Sequence, residues 1–361
     1  MAQGLIRPTT GFRDMSSTTR DLLLTQRGVT QQLDAFVVAA AFDRSGNRAC
    51  LALGDGSIRL VDLADKENWR KLDVHDGAIL ALEPDVMPGG FVTGGDDGKF
   101  LRIGADGSVS TIFDAGSRWV EHVAVHLAER GKGLLACSVG KLLHVFDDTG
   151  KKLKTLEHPS SVTGVVFDSR GKKIVVSHYN GASQWFVAAK VDTPRKLEWK
   201  GSHIAVAISP DGDAVMTSMQ ENALHGWRLS DGPHMRMSGY PSKTNSLSFT
   251  KGGKWLATSG SDAIVIWPFT GGGPMGKAPT ELAGGDDIAC TVALAHTQQE
   301  AIAGGFADGS VVLADVGSGR ILPVAAPGRG PISALAWSPD GTHLAFGSET
   351  GFAAIVDFTK K

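Results

Sequence analysis

A plan of about 40 residues recurs eight times along this chain, and it restricts the possible folds more than any other feature. Its clearest copy runs from Ile204 to Trp227. An apolar run to Ile208 meets a Ser209-Pro210-Asp211-Gly212 turn, a second run spans Ala214 to Thr217, and a polar turn at Gln220 to Asn222 leads into a third run ending at Trp227. Third runs end near Asp62, Ile103, Asp147, Phe186, Trp227, Trp267, Asp315 and Asp357, at intervals of roughly 39 to 48 residues.

Turn chemistry repeats with the period. Asp43-Arg-Ser-Gly46, Asp168-Ser-Arg-Gly171, Ser209-Pro-Asp-Gly212, Thr250-Lys-Gly-Gly253 and Ser338-Pro-Asp-Gly341 separate first from second runs. Each ends in the residue that tolerates a left-handed backbone. Asp55-Gly56, Asp97-Gly98, Asn180-Gly181 and Asp308-Gly309 separate second from third runs and are strong hairpin signals. The first runs, such as Val37 to Phe42 and Ile332 to Trp337, are continuously apolar, as in strands covered on both faces. Fourth runs, such as Arg195 to Lys200, are polar enough for an outer rim.

Several short strands per unit at this period imply an all-β β-propeller. The count predicts eight blades of four antiparallel strands, with seven as the alternative. The last unit stops at Lys361 after its third strand, so the stretch from Gly28 to Leu33 is expected to supply the missing fourth strand and close the fold. Residues 1–21 read as a flexible extension and residues 22–361 as a single propeller domain.

Composition excludes some functions. Net charge is -2 and the isoelectric point about 6.6, which provides no cationic field for nucleic acid or an anionic membrane surface. Cys50, Cys137 and Cys290 lie far apart in apolar runs and read as buried reduced thiols. The first residues lack the cationic and apolar segments of an export signal, and the expected location is cytoplasmic.

The units resemble WD-repeat β-propellers, named for a Trp-Asp pair closing the third strand. Trp stands at that position only in Trp227 and Trp267; the other occupants are Val61, Ile103, Phe146, Phe186, Ala314 and Val356, and Asp follows the position at Asp62, Asp147, Asp315 and Asp357. The resemblance implies structural tetrads of His, Ser or Thr, a turn acid and Trp. Its nearest cases are His75, Thr93 and Asp97 with Ile103 for Trp, and His203, Ser218 and Glu221 with Trp227. The segment Gln220 to Pro241, followed by Trp267-Pro268-Phe269, resembles a bacterial subgroup of these proteins.

The resemblance implies a non-catalytic scaffold that presents a rigid face to a protein or peptide. Turns between second and third strands, and links from a fourth strand to the next first strand, fall on that face. They carry Arg118, Tyr179, Gln220, Glu221, Tyr240, Lys243, Phe306 and Arg329, of which Arg118, Tyr179, Tyr240 and Phe306 are the expected anchors. The alternative is a small-molecule or metal site at a channel mouth, built from His158, His178 and His203. No cofactor is expected. Gly271-Gly-Gly-Pro-Met-Gly276 matches a dinucleotide fingerprint literally, but Lys277-Ala-Pro-Thr opens no helix behind it. Quinone-dependent dehydrogenases share eight-bladed propellers, but these units lack the Thr-Gly pair that precedes their tryptophans.

Overall fold

A computed structural model describes residues 21–128, 132–230, 232, 234–285 and 287–359. The extension expected at residues 1–21 lies, apart from Asp21, outside the described residues. The fold is an all-β propeller whose strands form seven sheets, six of four strands and one of six. Seven sheets is the alternative count, and the expectation of eight separate blades is corrected. The cause lies in β15 (Lys173–Phe186) and β16 (Arg195–Ile208), each 14 residues long. The ends of β15 meet through Val187 N–H to Lys172 O at 2.9 Å, and Asn180 and Gly181 have φ of 66° and 138°, so one element carries two strands. β16 runs unbroken from the fourth strand of the fourth repeat through Gly201 to Ile208 in the first strand of the fifth, so no break separates those two repeats. Among the described residues no helix is long and apolar enough to cross a membrane.

Contacts divide the chain into two compact units, Asp34–Ile208 and the remainder. In the first, β2 (Val37–Phe42) to β5 (Trp69–Asp73), β6 (Ile79–Pro84) to β9 (Val109–Asp114) and β10 (Val123–His126) to β13 (Lys152–Glu157) form four-stranded meanders in sequence order. β14 (Gly164–Phe167) precedes β15 and pairs with its first half. Phe91, Phe100 and Phe146 are fully buried between these sheets. Each such side chain contributes about 1.5–3 kcal/mol by leaving water.

The second unit joins Ser209 onward to the segment ending at Leu33. β1 (Gly28–Gln32) pairs antiparallel with β30 (Phe352–Asp357), placing Gly28 opposite Val356 and Gln32 opposite Phe352. This is the closure expected from the sequence. The preceding helix α1 (Leu22–Arg27) buries Leu24 against Val356, Ile332 and their neighbours. Asp21 accepts a hydrogen bond from Ala326 N at 3.0 Å and pairs with Arg329 at 2.7 Å.

The five first-to-second turns share one construction. The residue opening each turn accepts from the backbone N–H five residues on: Asp43 from Arg48, Asp168 from Lys173, Ser209 from Ala214, Thr250 from Trp255 and Ser338 from His343, at 2.8–3.3 Å. A side-chain acceptor thus satisfies a donor the tight turn strands. The second-to-third turns instead need Gly. At Gly98, φ is 82° and an added Cβ would sit 1.9 Å from the Gly116 carbonyl oxygen. The link after β9 packs there too closely for any side chain.

One register expectation fails. Trp185, not Phe186, occupies the tryptophan position of the fourth unit, since Trp185 is 6% exposed and Phe186 55%. Successive strand residues face opposite ways, so reading one residue late exchanged a core side chain for a surface one.

Candidate partner-binding site

The turns and links that carry the expected binding residues are tied together by short polar bonds. His75 follows β5; its Nδ1 lies 2.9 Å from Asp97 Oδ1 and its Nε2 lies 2.8 Å from Thr93 Oγ1. Burial raises the Asp97 carboxyl, but bonds from His75 and Lys99 outweigh it and leave the group below its usual range. Burial also lowers His75, more than Asp97 raises it. A neutral imidazole therefore donates from Nδ1 to a carboxylate and accepts from the Thr93 hydroxyl, while Ile103 is buried in the core.

Two equivalent networks form around His158 and Tyr240. His158 follows β13, donates from Nδ1 to Lys141 O at 3.2 Å and accepts from Trp185 Nε1 at 3.0 Å. Tyr240 fills the histidine position of the sixth unit. It accepts from Trp267 Nε1 at 2.7 Å and lies 2.7 Å from Thr258 Oγ1, whose proton goes to Val265 O at 3.2 Å. Tyr240 is 8% exposed, with its hydroxyl pushed up to about 12 by burial. Its assignment as a binding anchor is corrected: the phenol is needed inside to satisfy Trp267. The signal was present, since Tyr240 directly follows a fourth strand as His75 and His158 do.

Phe306 is corrected likewise. It ends β25 (Ala301–Phe306), is 5% exposed, and packs against Ile264, Cys290 and Ala293. Arg329 is half-buried and committed to Asp21, to Ala326 O at 2.8 Å and to the Phe352 ring at 4.9 Å. It secures the N-terminal segment. Gln220, Glu221 and Lys243 are exposed in the second unit, where Ser218 and Trp227 are buried. His203 is buried in the first unit, with Nε2 2.9 Å from Trp199 O.

Arg118 and Tyr179 are exposed in the first unit. Beside Arg118 stands Trp119, 56% exposed, which the sequence reading passed over. Tyr179 is 55% exposed at the rim of a cleft of about 1110 Å³ lying wholly within this unit. His158 and Trp185 form its floor, and Pro159, Tyr179 and Trp199 line its walls. A bulge builds this arrangement: Tyr179 pairs with Ser202 but Gly181 with Glu198, so Trp199 to Gly201 fall out of register. Bulges re-aim side chains in this way. The apolar members Leu197 and Trp199, two apart in an otherwise charged strand, were the readable sign.

The histidines of the alternative reading are engaged by the protein. His178 donates from Nδ1 to Tyr179 O at 2.9 Å and accepts from Ser183 Oγ at 2.9 Å, while both nitrogens of His158 are used as above. Among the described residues no group of three or more His, Cys, Asp or Glu side chains could hold a metal ion.

Burial drives His158, His144 and His122 down to about 4. Each is neutral in the fold, whereas the unfolded chain takes up protons near 6.5. The unfolded state therefore binds more protons between about pH 6.5 and 4, and stability falls as pH falls through that window. Thermal melts at pH 7 and pH 5 are expected to show a lower midpoint at pH 5. His158→Gln, which cannot titrate, is expected to flatten that dependence.

The WD40 family model, described as WD domain, G-beta repeat, matches residues 324–357. Autophagy-related protein 16 of Arabidopsis thaliana is 22% identical over 292 residues, covering 78% of this chain and 56% of that protein. WD repeat-containing protein slp1 of Schizosaccharomyces pombe is 21% identical over 267 residues, covering 60% of this chain and 54% of that protein. The chain thus spans about half the length of both relatives. It is also 22% identical to 12% of mouse Telomerase protein component 1. Among solved structures, the computationally designed Ika8 protein matches with a TM-score of 0.71 at 18% identity, covering 91% of this chain and 98% of that one. That likeness concerns the fold alone.

Proposed function

We propose that this chain, a member of the WD-repeat β-propeller family, is a non-catalytic scaffold that binds a protein or peptide partner. One observation carries the reading to a site. The cleft beside Tyr179 has a finished polar interior, in which each histidine nitrogen and the Trp185 N–H already has a protein partner. Those bonds hold the imidazoles and the indole against one another, so they shape the cleft from within. What remains for a ligand is aromatic surface, the material of interface hot spots. Arg118, Trp119 and Tyr179 are the exposed large side chains of this unit best suited to anchor a partner.

Immobilised full-length chain and its Tyr179→Ala and Arg118→Glu variants are to be compared for protein captured from a cell extract. Loss of the same captured protein with both variants, at unchanged melting temperature, is the expected result. Equal capture by all three would place the contact elsewhere.

A further inference from the structure

We propose that the cleft beside Tyr179 takes an extended, proline-rich peptide segment; the inference rests on the cleft being a partner site. Three polar groups along its rim are already engaged. Ser160 Oγ accepts from Tyr179 N at 2.9 Å, Asn180 Oδ1 accepts from Gly201 N at 3.2 Å, and the Glu157 carboxylate is held by Lys141 at 2.6 Å. What the rim still offers is mostly donors. The Tyr179 hydroxyl, the Asn180 amide Nδ2 and the ammonium groups of Lys196 and Lys200 have no partner among the described residues, and Glu198 is the one lining carboxylate left without one there.

A ligand matched to this rim supplies acceptors and few donors. Ordinary extended peptide carries one N–H per residue, and those donors would be buried against aromatic carbon without acceptors. Proline removes the donor and keeps the carbonyl. Its ring packs flat on aromatic faces, and the polyproline II chain is already ordered before it binds, which lowers the entropy cost. Tyr179 and Trp199 are the two faces on which such rings would stack.

The test uses fluorescein-labelled decaproline and the full-length chain, read by fluorescence polarisation, with Gly-Ser and poly-Glu decapeptides as comparisons. Saturable decaproline binding, about tenfold or more tighter than the Gly-Ser peptide, is expected. Tyr179→Ala should weaken it about tenfold, while Trp199→Phe, which keeps a stacking face, should stay within about threefold. Lys196→Glu with Lys200→Glu should change it less than about threefold. No saturable decaproline binding, or binding indifferent to Tyr179→Ala, overturns the proposal. So does preferred binding of poly-Glu that the two lysine reversals abolish, which would assign an acidic peptide instead. Partner capture that depends on Tyr179 without decaproline binding would leave the scaffold reading standing and remove only this one.

Discussion

A chain that begins at Phe36 is expected to melt roughly 10 °C or more below the full-length protein, or to aggregate on purification. The deletion removes β1 and so uncovers β30, whose residues Ala353 to Asp357 are all buried. An uncovered apolar edge strand templates pairing with other chains. Leu24 and Leu33, 3% and 4% exposed, leave with it, and each represents about 1.5–3 kcal/mol of burial. The Asp21–Arg329 pair is lost too, but at 24% and 22% side-chain exposure it is a minor share, about 1 kcal/mol or less. Scanning calorimetry with light scattering decides the matter: an unchanged midpoint and a monodisperse sample would mean that the second unit does not depend on its N-terminal strand.

Asp85→Ala is expected to cost about 3–5 kcal/mol, the largest effect of any single charged position in the first unit. Asp85 is completely buried, with Oδ2 2.6 Å from Arg102 Nε and Oδ1 accepting from Val86 N at 2.7 Å. Burial raises its carboxyl even though Arg102 pulls the other way, a sign that the pair is held under a real desolvation penalty. Removing the acid leaves the Arg102 guanidinium, 16% exposed, with only the Asp148 carbonyl at 2.8 Å. Asp85→Leu with Arg102→Met removes both charges and is expected to be much less damaging than Asp85→Ala alone. Urea unfolding curves separate the cases, and a loss below about 1 kcal/mol for Asp85→Ala would make the pair equivalent to a surface one.

Much of this architecture is legible from local chemistry. Asp or Ser opening a turn, and Gly closing it, report on a bond between residues five apart, which any sequence displays. The pairing of β1 with β30 was readable because an unfinished last unit and an unassigned first strand complete each other. Sheet count was not, because periodicity counts units. Whether two neighbouring units share a sheet depends on whether Lys200-Gly201-Ser202 bends or stays extended, and a single glycine permits both. The binding face was read less well. Tyr240 and Phe306 lie on the correct strand ends, but a side chain's direction there depends on what needs filling beneath it: an indole N–H at Trp267 for one, an apolar gap beside Ile264 for the other. Trp199 stood in a strand taken as a polar rim, where only its spacing from Leu197 marked it.

The long separation between β1 and β30 also sets an order of events during synthesis. At about 5–20 residues per second, Gly28 emerges tens of seconds before Val356, its eventual partner. Asp34 to Ile208, a compact unit that contains neither strand, are made in that interval. Throughout that time β1 and the apolar face of α1 are unaccompanied. An agent that occupied them then, whether a chaperone or a second nascent chain offering its own β30, would decide between a finished monomer and a strand-exchanged pair.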